Sequence, residues 1–111
     1  MTTHDDVEKT RVVFVTTTCD AARPMAKLMV EKRLAACVNV IPKVESHFWW
    51  DEAIQQDSEA ILICKTTKAK LDALMAWVND AHSYDLPEVL AVKLDAGLPE
   101  YLAWVRKETE G

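Results

Sequence analysis

The sequence predicts an α+β sandwich: one sheet of four strands with helices packed on it, in the order β-α-β-β-α-β plus a short closing helix. Three observations carry this. Four apolar segments rich in β-branched residues alternate with amphipathic ones. The second and third apolar segments are separated only by Asp51-Glu52, which makes them a long hairpin. No linker, internal repeat or low-complexity tract divides the chain, and that element order is the ferredoxin-like pattern. Residues 11–111 are therefore expected to form a single domain, and the polar, acidic stretch 1–10 a disordered tail.

Arg11 to Thr18 (RVVFVTTT) is short and β-branched, a buried first strand. A helix follows from about Asp20 to Arg33, with Pro24 expected in its first turn, where backbone N–H groups have no intrahelical partner. Its inward stripe is Ala22, Met25, Leu28 and Met29. The second strand covers about Ala36 to Trp50 and must bend or break at Pro42, which cannot donate to a ladder. Ala53 to Lys65 is the third strand. Thr67 is the expected N-cap of the next helix, whose Leu71, Leu74, Met75 and Val78 recur at i, i+3, i+4 and i+7. His82 to Pro87 reads as a loop, Glu88 to Leu94 as the fourth strand, and Leu98 to Lys107 as the terminal helix with Pro99 near its start.

Composition excludes several classes. The chain has 111 residues, half of them hydrophobic, and a formal net charge of −5. Nucleic acid and anionic membrane surfaces both reward clustered Lys and Arg, so neither is expected as a partner. No apolar run approaches the roughly 20 residues that span a bilayer. The N-terminal residues match neither a signal nor a transit peptide. Three cysteines, Cys19, Cys37 and Cys64, stand far apart with no Cys-x-x-Cys pair, which suggests a reducing compartment, the cytoplasm. Cys37 and Cys64 lie in apolar strands and read as small hydrophobes. Cys19, near a helix N-terminus, is the more plausible reactive thiol.

The strands carry more apolar surface than two helices can cover. Val12-Val13-Phe14-Val15, Ile61-Leu62-Ile63-Cys64 and Val89-Leu90-Ala91-Val92 are apolar at both parities, whereas a sheet with one wet face should alternate. Right-handed crossovers place both connecting helices on one face, leaving several hundred Å² of apolar surface on the other. Length adds to this. A strand of some fourteen residues reaches roughly 45 Å, beyond the roughly 35 Å breadth of a globule this size. A hairpin tipped with Phe48, Trp49 and Trp50 would overhang its own domain. Self-association through the sheet face and the hairpin is the main physical expectation.

Five blocks then become recognisable: RLAACVNVIP (33–42) running on through Ser46 to FWW (48–50), SEAILICKT (58–66), HSYDLPE (82–88) and YLAWV (101–105). In this order and spacing they resemble the CutA family of divalent-cation tolerance proteins. The resemblance implies a ferredoxin-like domain assembled as a homotrimer, with hairpins reaching across subunits and Phe48, Trp49 and Trp50 at the trimer interface. It implies a link to tolerance of copper and other divalent cations, and no enzymatic reaction. It also implies a polar cleft at the subunit boundary that could gather Lys65, Tyr84, Glu88, Trp50 and Glu59. Some relatives are thought to bind copper through a cysteine closing the first strand and paired histidines. Here Thr16 and Ala81 stand at the cysteine and first-histidine positions, so only His82 carries over as a metal ligand. Asp51-Glu52 replaces the family's Glu-Gly, and Ser83 its proline.

Each site residue also has a plainer role. His82 could serve only to fix its loop through a hydrogen bond, Lys65 to form an interface ion pair with Glu59 or Glu88, and Trp50 to pack at an interface. Lys65 and the 82–88 loop belong to opposite ends of one crossover, so they should meet only through a neighbouring copy. Two functions remain open: a non-catalytic metal-tolerance trimer, and a small-ligand sensor like the PII signalling trimers. An enzyme would need a base, nucleophile and orienting group together, and the sequence supplies no such set. Phosphate-cradling loops need glycines, and the chain has only Gly97 and Gly111.

Overall fold

The computed structural model describes residues 3–110. Its elements are α1 (Thr3–Lys9), β1 (Thr10–Thr17), α2 (Cys19–Glu31), β2 (Cys37–Trp50), β3 (Ala53–Thr67), α3 (Leu71–Ala81), β4 (Glu88–Lys93) and α4 (Pro99–Glu110). The strands form one antiparallel sheet in the order β2-β3-β1-β4, the expected ferredoxin-like arrangement. No helix among the described residues is long and apolar enough to cross a membrane.

The expected tail differs. Met1 and Thr2 lie outside the described residues, but Thr3–Lys9 is helical and Thr10 already opens β1. Arg106 Nε donates to Asp6 Oδ1 at 2.9 Å, and Arg11 donates to the Glu8 carbonyl at 2.5 Å, which caps the helix's C-terminal end.

Alternation along the strands decides what the two helices cover. Val13 and Val15 of β1 and Leu62 and Cys64 of β3 point to one face, where they pack on Ala22, Met25 and Met29 of α2 and Leu74 and Val78 of α3. Thr18 caps α2, its Oγ1 accepting from the Ala21 N–H at 3.1 Å. Pro24 thus sits one turn further in than expected, and the Asp20 carbonyl it deprives of a donor belongs to an exposed residue that water can reach. Leu28 faces solvent and Ala26 takes its place in the core. Thr67 does not cap the next helix: it is the buried last residue of β3, paired with Thr10, and a 3-10 turn at Lys68–Lys70 precedes α3. In α3, Met75 is exposed and Trp77 packs against the core instead.

The opposite parity leaves a second apolar face. Val12 and Phe14, Ile61 and Ile63, and Leu90 and Val92 align across β1, β3 and β4 in register. α4 packs against β1 and β3 with Leu102 and Val105 buried beneath it, but Leu90 and Val92 of the edge strand remain 58% and 45% exposed. The sheet face is partly bare.

The hairpin overhangs as its length requires. The chain measures 51 × 27 × 22 Å, and its radius of gyration of 14.9 Å exceeds the roughly 13 Å expected of a compact domain this size. Ile41 pairs with Ile61, but the next pair is Val44 with Glu59, so β2 carries one extra residue around Pro42. This bulge inverts the parity of everything beyond it. Phe48 and Trp50, rather than His47 and Trp49, thereby continue the bare face of the sheet.

Candidate functional site

Beyond the bulge, the hairpin, the end of β1 and the 82–88 loop enclose an open cleft of about 870 Å³. β3 contributes Gln55, Asp57 and Glu59 from one side of its ladder, and β2 contributes Ser46, Phe48 and Trp50 opposite them. Ser83, Tyr84, Asp85 and Leu86 form the far wall, with Glu88 opening β4 below Thr16.

Glu59 is the centre of this arrangement. Only 7% of it is exposed, and the Tyr84 hydroxyl donates to its Oε2 at 2.7 Å. Burial, and next the hydrogen bond and negative charge of Glu59, push the Tyr84 phenol above its ordinary range, so it remains a donor. Tyr84 is held in turn by His82, whose ring lies 4.5 Å from the tyrosine ring, centroid to centroid. The Tyr84 backbone N–H donates to His82 Nδ1 at 3.1 Å, which fixes the tautomer: Nε2–H donates to the Thr16 carbonyl at 2.6 Å. His82 is 9% exposed and both of its nitrogens are engaged. It ties the loop to the end of β1, the plainer of its two expected roles.

Within one chain the structure brings Tyr84, Glu88, Trp50 and Glu59 to one cleft. It does not bring Lys65. That residue pairs with Val12, four positions along β1 from Thr16, and its amine donates to Asn39 Oδ1, with Cys37 Sγ 3.9 Å away. Within one chain Lys65 therefore pairs with neither Glu59, six residues back along β3, nor Glu88, which lies beside Thr16 at the other end of β1. Phe48, Trp49 and Trp50 are 38%, 71% and 46% exposed. Two lining carboxylates were not singled out from the sequence, Asp57 and Asp85. Asp57 shares Glu59's parity two residues away, a signal that alternation alone could have given.

The chemistry of the lining is lopsided. Asp57, Glu59, Asp85 and Glu88 face a cleft that no lysine or arginine enters. Yet no three His, Cys, Asp or Glu side chains among the described residues converge closely enough to hold a metal ion. Cys64 is fully buried under the helices, where desolvation pushes its thiol up to about 12.

The family model for the CutA1 divalent ion tolerance protein matches residues 11–108. The chain is 39% identical over 99 residues to the divalent-cation tolerance protein CutA of Thermus thermophilus, covering 88% of this chain and 96% of that one. It is 41% identical over 99 residues to a chloroplastic CutA 1 protein of Oryza sativa, covering 88% of this chain and 56% of the rice protein. The chain spans about half the length of the plant and animal relatives it matches. Among solved structures, CutA1 from Oryza sativa superposes with a TM-score of 0.88 at 38% identity, covering 93% of this chain and 95% of that one. A PII-like protein CutA from a Nostoc species gives 0.86 at 28%, covering 89% and 96%.

Proposed function

The chain belongs to the CutA1 family of divalent ion tolerance proteins, and from that premise we propose that it acts as a non-catalytic, cytoplasmic homotrimer in the tolerance of divalent metal ions, copper among them. The observation that carries the proposal is the bare apolar face running from Leu90 and Val92 across the sheet and out along Phe48 and Trp50. Exposed apolar patches of this extent mark interaction surfaces. A second and third copy, each with the same overhanging hairpin, would cover it, with Phe48, Trp49 and Trp50 at the interface.

Copper finds no ready-made site among the described residues of one chain. It favours thiolate and imidazole donors, but no three His, Cys, Asp or Glu side chains converge there, Cys64 is sealed in the core and both nitrogens of His82 are taken. A metal held directly would need donors from more than one copy. Growth assays test the role. Cells lacking this protein should fail at copper concentrations the parent survives, and the wild-type chain should restore growth. A chain carrying Leu90→Asp, folded but unable to bury its sheet face, should not. Full rescue by a folded monomer would refute the reading.

A second reading, a small-ligand sensor in the manner of PII trimers, is favoured by the cleft of about 870 Å³ and by the name of the Nostoc neighbour. The lining argues against a phosphate ligand, since four carboxylates face it and neither lysine nor arginine does.

A further inference from the structure

We infer that Cys37 and Lys65 join through a sulfur–oxygen–nitrogen bridge when the protein meets a peroxide, which makes the root of the hairpin a redox-controlled cross-link. The inference stands apart from the metal-tolerance and sensing readings, because the pair belongs to one chain and lies outside the cleft.

Three observations converge on the pair. The first is register. Cys37 and Lys65 are direct partners across the β2–β3 ladder, 28 residues apart in sequence, so their side chains leave the same face side by side. Lys65 Nζ lies 3.9 Å from Cys37 Sγ, a gap that a single oxygen atom spans after a small rotation of the flexible lysine stem. The second is what holds the amine. Asn39, on the same face of β2, accepts from Lys65 and keeps Nζ beside the sulfur, and Lys65 forms no ion pair among the described residues that would draw it away. The third is the lack of a second thiol. Cys64 follows the opposite parity and is sealed under the helices, and Cys19 opens α2 beyond the far end of β1. An oxidised Cys37 therefore meets an amine within its own chain. Both residues are half-buried, which leaves room for an oxidant as small as hydrogen peroxide.

The chemistry balances with two molecules of hydrogen peroxide. The Cys37 thiolate takes one oxygen from the first, its O–O bond breaks and water leaves, giving the sulfenic acid. The second hydroxylates the Lys65 amine in its neutral form, and another water leaves. The hydroxylamine oxygen then attacks the sulfenic sulfur, and the displaced hydroxyl departs with the hydroxylamine proton as a third water. Sulfur and nitrogen each lose two electrons, and both peroxides are reduced to water. The linked pair carries one oxygen more and two hydrogens fewer than the reduced pair, a gain of about 14 Da. Dithiothreitol returns it to thiol and amine.

The test is tryptic mass mapping of the full-length chain after treatment with hydrogen peroxide, in a Cys19→Ser background that removes the exposed thiol. Trypsin should leave Lys65 uncut, with the peptides holding Cys37 and Lys65 joined at a gain of about 14 Da that dithiothreitol reverses. In Lys65→Arg the joined peptides should vanish and Cys37 should accumulate as sulfenic acid, trapped by dimedone. The map of the Cys19→Ser chain decides the matter alone should Lys65→Arg fail to fold. Cys37 oxidised to sulfinic acid, a gain of about 32 Da, with Lys65 still cut by trypsin would overturn the inference. A disulfide between the Cys37 residues of two copies would overturn it in favour of an intermolecular link. Cys37 left unmodified by peroxide would overturn it as well, by showing that the oxidant does not reach the pair.

Discussion

Replacing Glu52 by glycine should stabilise the protein. The hairpin turns at Asp51 and Glu52 with φ values of 54° and 62°, the left-handed region at two consecutive non-glycine residues. Such turns match the twist of a β-hairpin, and their preferred sequence is Asn-Gly or Asp-Gly. An L-residue there costs about 1–2 kcal/mol through the clash of its Cβ with the following carbonyl. Aspartate tolerates the conformation better than most residues, so Asp51 is not the main source of strain. Glycine in place of Glu52 removes that clash but loses about 0.4–1 kcal/mol to the greater freedom of its unfolded chain. The exposed Glu52 side chain makes no hydrogen bond among the described residues that would be lost. The net gain is about 1 kcal/mol, which for 111 residues raises the melting temperature by about 4 °C. Thermal unfolding followed by circular dichroism, at matched chain concentration, reads this directly. An unchanged or lower Tm for Glu52→Gly would show that the turn is unstrained and that the backbone argument fails.

Three further outcomes follow from buried groups. Cys64 should resist thiol reagents at mildly alkaline pH and react only as the protein unfolds, while the exposed Cys19 reacts at once. Because the Cys64 thiol is raised from 9.0 to about 12 on folding, its contribution to stability is fully present below pH 9. It is lost as pH climbs from there towards 12, at about 1.4 kcal/mol per pH unit. Urea unfolding across that range should show the slope, and Cys64→Ala should flatten it. Tyr84→Phe strips Glu59 of its donor and should cost about 1.5–3 kcal/mol, read as a lower urea midpoint.

Most of the architecture was legible in the residues. The strand order and the unshielded sheet face could be read from runs such as Ile61 to Cys64, because apolar residues at both parities leave few other folds. Local chemistry was harder. Thr67 looked like a cap, but pairing with Thr10 kept it in the sheet, a tertiary preference that overrides local propensity. The helix at Thr3–Lys9 escaped notice because its anchor is Arg106, about a hundred residues away. At the site, the tautomer of His82 could not be read from the sequence, because it depends on the Thr16 carbonyl of β1. Lys65 shows the reverse case: sequence topology already placed it at the other end of the sheet from the cleft.

The central claim is that the bare sheet face and overhanging hairpin are buried only when copies of this chain associate. Sedimentation equilibrium at micromolar concentration tests it most directly. The account predicts a species of three times the 12.5 kDa chain mass, shifting to one chain in Leu90→Asp. A folded wild-type protein sedimenting at the mass of one chain would contradict it.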